Sequence, residues 1–331
     1  MQQRRRAEVH PAKNLIRVAA LALVLACASA QAAPPEIVFA TAAQGREILA
    51  SVDDYVRATS ALERRAHLRS TEPVDEAGFA RRQSELLQEW PPDARGLLGP
   101  AVASLQAFIA PIKATWPKQI LLVRTDPRLE DGSAFTRANA AFLVDDLLGP
   151  RSAHYILAHE IFHVLSRHDP ALRERLYALI GFQRCSKAEI PERAARLRIT
   201  NPDAVTSVHS IRVRYRGKPA DALPFIRFPS EAIDPKQGFL SQMVVRWLLA
   251  DRVGEECRVR ETAAGVEDAD PDELEGLYEQ IGRNTAYLFH PEEILADNFA
   301  ILFLTSLRGG GTQGTRSPEI LEKLRAALFG S

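Results

Sequence analysis

The residues of this 331-residue chain best suited to chemistry are His159-Glu160-Ile161-Phe162-His163. Leu157, Ile161, Val164 and Leu165 form one apolar stripe from Ser152 to Arg167, the pattern of a helix facing a core, with Ser152 placed to cap it. On such a helix His159 and His163 leave the same face one turn apart, so two imidazole nitrogens can reach one ion. Glu160 is turned by roughly 100° from His159, off the ion but beside it, where it can take a proton from water and pass it to a leaving group. Two imidazoles with an open position suit one zinc ion per chain, and a catalytic zinc needs a third protein ligand.

Three residues compete for that place. Glu293 lies in His290-Pro291-Glu292-Glu293-Ile294-Leu295-Ala296-Asp297-Asn298-Phe299, where Pro291 opens a helix. Glu293 and Asp297 share a face of it, and the apolar run Phe299-Ala300-Ile301-Leu302-Phe303-Leu304 requires burial. Buried carboxylates need a cation or donors; a metal for Glu293 and an imidazole N–H for Asp297 supply both. Glu292, with Ala296 in the matching position, is the poorer choice. Asp169, six residues beyond His163, is the second candidate, and His168, which reads more naturally as a surface histidine near a helix end, is the third.

The His-Glu-x-x-His helix resembles that of the zincin metallopeptidases. Glu293 with Asp297 four residues on is similar to the later helix of their gluzincin branch. That resemblance implies His159, His163 and Glu293 as zinc ligands, Asp297 orienting His159, Glu160 as general base and acid, and a peptide or protein substrate. His159 to Asp169 looks instead like a variant of the metzincin pattern, departing from it at Ser166, where glycine is usual. The likeness covers the two motifs and their helical settings. The 130 residues between His163 and Glu293 imply a large β-containing insertion. A donor facing the developing oxyanion would come from Tyr287, His290 or His209, of which Tyr287 and His209 are carried forward. The extended stretch Ala134 to Val144, just before the metal helix, would by the same analogy be the edge strand that pairs with a substrate backbone.

The elements that must position these groups are mixed. Residues 41–111 read as helices broken at Pro91-Pro92, and Ile120-Leu121-Leu122-Val123 reads as a strand. A helix follows over 171–182. Ile211 to Tyr215 alternates apolar and polar, Arg216-Gly217-Lys218-Pro219 turns, and Phe225 to Phe228 returns. Met243 to Ala250 fits either a helix or a strand. Helices close the chain over 291–307 and 318–329. The fold class expected is α+β: a zincin-like small mixed sheet, an active-site helix and a mainly helical remainder. The expected divisions are a signal peptide over 1–30, a helical N-terminal region over 31–115, and a catalytic domain over 116–331 with its β-containing insertion around 186–260.

Forty-two basic and 42 acidic residues leave no net charge, and no basic block exists for nucleic acid, which is set aside as a partner. The leader is different. Arg4, Arg5, Arg6, Lys13 and Arg17 precede the apolar run Val18 to Ala26 and then Ala28-Ser29-Ala30, the order of a cleaved export signal. The run is too short to span a bilayer, so no membrane span is expected and the protein would be periplasmic or secreted. Val24-Leu25-Ala26-Cys27 loosely resembles a lipobox, which leaves a lipid anchor at Cys27 as the alternative. Cys185 and Cys257 could pair in an oxidising compartment or stay as two buried thiols; without a Cys-x-x-Cys they do not form a thiolate zinc site. Two other functions stay open: a non-catalytic zinc-binding domain of the cell envelope, and a metallohydrolase with a non-peptide substrate.

Overall fold

The computed structural model describes residues 34–149, 152–263 and 265–330. The basic leader, the expected cleavage site and Cys27 lie outside the described residues. The first sheet is built from β1 (Glu36–Phe39), β2 (Leu87–Gln88), β3 (Gln119–Thr125), β4 (Phe135–Arg137) and β5 (Ala140–Leu143). Its order is β1-β3-β5-β4, with β2 antiparallel on β3. Strands β1, β3 and β5 run parallel, placing Ile37 opposite Ile120 and Val123 opposite Phe142. The interior strands read as apolar runs because both faces are covered; Ile120, Leu122, Val123 and Ala140 to Leu143 are buried.

Residues 134–144 are not one extended run. Ala138 takes φ 50° and folds β4 back antiparallel on β5, so that only the first arm is the edge strand. The N-terminal segment is largely helical: α1 (Ala42–Leu49), α2 (Asp54–Ala58), α3 (Ala61–His67), α4 (Glu76–Ser84) and α5 (Pro92–Ile109). Thr41, Asp53, Ser60 and Asp75 cap the first four through side-chain oxygens that accept from the backbone N–H three residues on. The same segment also supplies β1 and β2 to the first sheet, so strand pairing crosses the expected boundary near residue 115.

Helices α6 (Ala153–His168) and α7 (Pro170–Leu179) follow β5. Ser152 does not cap α6; its hydroxyl donates to the Leu147 carbonyl at 2.7 Å. The second sheet holds β6 (Phe182–Arg184), β7 (Ala188–Glu189), β8 (His209–Tyr215), β9 (Lys218–Arg227), β10 (Val244–Val253) and β11 (Glu256–Val259), with α8 (Glu192–Ala195) between β7 and β8. β8 and β9 meet at Arg216-Gly217, both at positive φ as a tight two-residue hairpin turn requires. The run from Met243 resolves as strand β10, long enough to pair with β9 from Val244 to Ala250. A small ribbon, β12 (Glu261–Thr262) and β13 (Gly265–Val266), and two short pairings, β14 (Asp268–Ala269) and β15 (Leu274–Glu275), complete the strands. Cys185 and Cys257 are joined in a disulfide, with 5.7 Å between their Cα atoms.

The chain ends in α9 (Tyr278–Ile281), α10 (Pro291–Leu307) and α11 (Pro318–Phe329). Helix α10 is apolar almost all round and buried from Pro291 to Ala300, as a helix through the middle of a core must be. It packs on α6, where Phe162 meets Phe299 with ring centroids 5.5 Å apart. Among the described residues no helix is long and apolar enough to cross a membrane.

Candidate metal centre

The first turn of α10 faces the second and third turns of α6. His290 starts α10: its Nδ1 accepts from the Glu292 backbone N–H at 3.1 Å, and its Nε2 donates to the Thr206 carbonyl at 3.2 Å. An accepting Nδ1 requires a neutral ring, and burial, reinforced by His209 nearby, lowers His290 to about 4. Glu292 and Glu293 stand in the first turn, where the free backbone N–H groups of a helix favour negative charge.

Each metal-helix histidine is held by a carboxylate at Nδ1. His159 Nδ1 donates to Asp297 Oδ1 at 2.8 Å and His163 Nδ1 donates to Glu292 Oε1 at 2.9 Å. With Nδ1 of each ring held by a carboxylate, Nε2 is the atom turned inward, able to bind an ion once its own proton is lost. There Glu293 Oε2 lies 3.1 Å from His159 Nε2 and 3.6 Å from His163 Nε2. Bonds of about 2.0–2.1 Å at tetrahedral angles, as around zinc, set neighbouring ligand atoms about 3.3–3.4 Å apart, and these two distances lie close to that spacing. His159, Glu160 and His163 form a buried group that could hold a metal ion, each offering a ligand atom within 4.8 Å of the others. Glu160 Oε2 is buried with no hydrogen-bond partner among the described residues, which leaves it free to exchange a proton with a bound molecule.

The electrostatics point the same way. Five carboxylates, from Glu160, Asp203, Glu292, Glu293 and Asp297, surround two imidazoles. Burial disfavours a charged His163, but Asp203, Glu293 and the bond to Glu292 outweigh it and raise the ring to about 9. Burial likewise opposes His159, and the bonds to Asp297 and Glu293 still lift it well above the ordinary value. Glu293, despite burial, is held near 2 by His163 and by the bond from His159. Burial and then the Asp203 charge push Glu160 up to about 8. A field negative enough to protonate buried imidazoles is one that favours a divalent cation in their midst.

The other sequence candidates separate clearly. Tyr287 is half exposed at the mouth of the same cavity, its ring centroid 6.4 Å from that of His159. His209 is not brought to the site. Strand β8 buries it behind α10, where Nε2 pairs with Glu174 Oε2 at 2.9 Å and the ring packs edge-on to Tyr177, so it cannot face a bound carbonyl. Asp169 caps α7, accepting from Leu172 N–H at 2.9 Å and from Thr115 N–H at 3.0 Å, which occupies both its oxygens. His168 donates from Nδ1 to the Val164 carbonyl at 2.9 Å on its own helix. Glu292, the poorer choice for a ligand, is the partner of His163 and also accepts from Ser166 Oγ and Tyr177 Oη, at 2.6 and 2.5 Å.

Four further groups carry no local signal in the sequence. Tyr155 Oη and Thr285 Oγ1 donate to Asp297, and Asn201 Nδ2 donates to Glu293 Oε1 at 2.6 Å. Asp203 lies beside His163 and Glu293. The cavity over these groups measures about 550 Å³, with Ile199, Phe239, Met243 and Phe289 on its apolar wall. No protein-family model, no curated protein and no solved structure matches the chain.

Proposed function

We propose that this protein is an exported zinc-dependent metallopeptidase, zincin-like in fold and gluzincin-like in its ligands, with His159, His163 and Glu293 holding the metal. The observation that carries the reading is the position of Glu293 Oε2, 3.1 and 3.6 Å from two Nε2 atoms whose Nδ1 partners are already fixed. An antiparallel edge strand, β4, on a sheet otherwise parallel at its centre, next to the metal helix, supports the fold. The disulfide supports an oxidising compartment and hence export.

Zinc bound at the three ligands would supply Lewis acidity toward the scissile carbonyl and a lowered pKa for water. The residues of the chain do the rest. Glu160 Oε2, unpaired and beside the ligands, takes the proton of the attacking water and delivers it to the departing amine nitrogen. Asp297 and Glu292 keep both rings in the tautomer that turns Nε2 inward. Tyr287 stands at the cavity mouth, where its hydroxyl can donate to the carbonyl oxygen as it becomes tetrahedral. Glu160 also argues for catalysis over a storage or structural role, because a closed structural site uses all its positions for ligands and has no need of a free acid.

Metal content of the purified mature chain tests this, measured side by side for wild type, Glu293→Ala and Glu160→Gln. The expected result is about one zinc in wild type, loss in Glu293→Ala, and retention in Glu160→Gln with peptide hydrolysis reduced by about 10²–10⁴-fold. Wild type that takes up no zinc on reconstitution would end the proposal. Zinc uptake without cleavage of any unfolded protein or peptide library would point to the non-peptide or non-catalytic alternative.

A further inference from the structure

The loop between α8 and β8 is tied to three separate parts of the molecule. Thr200 donates its N–H to Glu63 Oε1 on α3 at 2.5 Å and its hydroxyl to Oε2 at 3.0 Å. Asn201 donates to the proposed ligand Glu293. Asp203 Oδ1 accepts from the backbone N–H of Thr136 on β4 at 2.7 Å and also from the Thr136 hydroxyl. Arg167 on α6 braces the arrangement, donating to Thr136 Oγ1 at 2.8 Å and to the Pro202 carbonyl at 3.3 Å. This is more anchoring than a surface connection needs, and all of it bears on the position of one carboxylate.

That carboxylate is nine-tenths buried, its side chain only 8 % exposed. Among the described residues its second oxygen, Oδ2, has no hydrogen-bond partner, and a ligand atom of Asp203 lies within 4.8 Å of a His163 nitrogen and a Glu293 oxygen. Arg167 Nη2 stands 3.9 Å from Oδ1, beyond hydrogen-bond distance, so the charge of this buried carboxylate is only partly offset and a metal ion beside it would complete the compensation. Two imidazoles and one carboxylate leave a bound zinc ion and its direct ligands with a net positive charge; a second carboxylate ligand makes the ion and its ligands neutral. Glu160 also faces this space, with a carboxylate oxygen within 4.8 Å of ligand atoms of His159 and His163, but in the function proposed above it is the acid that moves the proton.

Resting on the metal site proposed above, we propose that Asp203 is a displaceable fourth ligand, so that the 200–203 loop is a latch that closes the open coordination position in the absence of substrate. The latch has a second consequence through Thr136. In the β4–β5 pairing Thr136 sits opposite Ala141, and its N–H points to the free edge of the sheet, where Asp203 occupies it. A substrate backbone adding to that edge would need the same N–H. One movement of Asp203 therefore releases both the coordination position and the edge-strand donor.

The test uses the full mature chain with zinc or cobalt(II) alone as the probe. Asp203→Asn keeps an oxygen for Thr136 and removes the negative charge; Thr136→Val removes one anchor and leaves the carboxylate. Zinc affinity is measured by competition with a chromophoric chelator, and the cobalt-substituted proteins are titrated with azide while the visible d–d absorption is followed. The latch predicts zinc binding weaker by about tenfold or more in Asp203→Asn and nearly unchanged in Thr136→Val. It also predicts an azide-dependent cobalt spectrum in Asp203→Asn at concentrations that leave wild type unaltered. Equal zinc affinity and equal azide response in wild type and Asp203→Asn would overturn it and leave Asp203 as an anchor of β4. Wild type that binds no zinc at all would instead overturn the metal site on which it rests.

Discussion

Glu292 and Glu293, neighbours in the chain, address opposite nitrogens of the same imidazole. Glu292 Oε1 accepts from His163 Nδ1 at 2.9 Å, and Glu293 Oε2 lies 3.6 Å from His163 Nε2. Only the second can share a metal with the ring. The first sets the tautomer and orientation and strengthens the ring as a donor. Burial acts against the charge on Glu292, yet the bonds from His163, Ser166 and Tyr177 keep it below its ordinary value, so it remains an acceptor.

Replacing Glu292 by Gln therefore weakens zinc binding without abolishing it, by about 10–100-fold. Glu293→Ala removes the proposed third ligand and should do far more. Chelator competition on the two variants ranks them; an order in which Glu292→Gln is the worse would exchange the two assignments.

Asp169 holds the start of α7 and ties it to Thr115, so its loss should register as stability and not as metal content. Asp169→Ala is expected to lower unfolding free energy by about 0.5–2 kcal/mol and to leave zinc stoichiometry unchanged. A variant of normal stability that has lost its zinc would restore Asp169 as a ligand.

A second buried cluster predicts a pH dependence of stability away from the candidate metal site. His67 Nδ1 lies 3.1 Å from Glu130 Oε2 and its Nε2 3.8 Å from Glu63 Oε1, with Tyr55 and Gln83 donating to Glu130. Burial raises Glu63 from 4.5 to about 7 against the pull of His67 and Thr200. Burial opposes a charged His67, but Glu130 outweighs it and raises the ring above 6.5. Both native values exceed the unfolded ones, so each group contributes stability that is complete below its unfolded value and is lost as pH rises through the native one. Glu130, held below 4.5 chiefly by His67 against burial, works the other way and loses its contribution only as pH falls through its lowered value. The urea midpoint should thus fall from about pH 4.5 to about pH 7 through Glu63, and fall further above pH 6.5 through His67. Glu63→Gln, which cannot ionise, should flatten that fall, and an equally steep profile in the variant would remove Glu63 from the account.

The Cys185–Cys257 bond closes a sequence separation of 72 residues and ties the turn after β6 to β11 of the second sheet. Its removal by the Cys185→Ala/Cys257→Ala pair is expected to lower stability by about 2–5 kcal/mol. Denaturant unfolding of the two proteins gives the difference; two coincident curves would mean the sheet holds this corner unaided.

Much of the architecture was legible before any coordinates. The spans of α6, α10 and α11, the β8–β9 hairpin and its turn all follow from local pattern. The ambiguous run after Met243 did not, because an apolar stretch of that length buries equally well as helix or strand; its pairing between β9 and β11 decided it. The N-terminal segment was readable as helical, but not as the source of β1, since four residues carry too little periodicity to announce a strand that lies beside β3 some 80 residues later.

The site divides along the same line. That His159 and His163 share a face, and that Glu293 and Asp297 share another, is determined by the sequence alone, because spacing on a helix is local geometry that no packing alters. Which glutamate meets which nitrogen depends on the rotation of α10 against α6, and one residue of rotation is about 100°. His209 lies on a strand that runs behind α10, and Asn201 and Asp203 arrive on a loop about ninety residues before the helix they touch. Nothing in the spacing of residues so far apart measures the distance between their side chains. Only the packing of α6, α10 and the second sheet into one core brings Asn201 and Asp203 to the histidine site and leaves His209 away from it, and that was for the tertiary structure to decide.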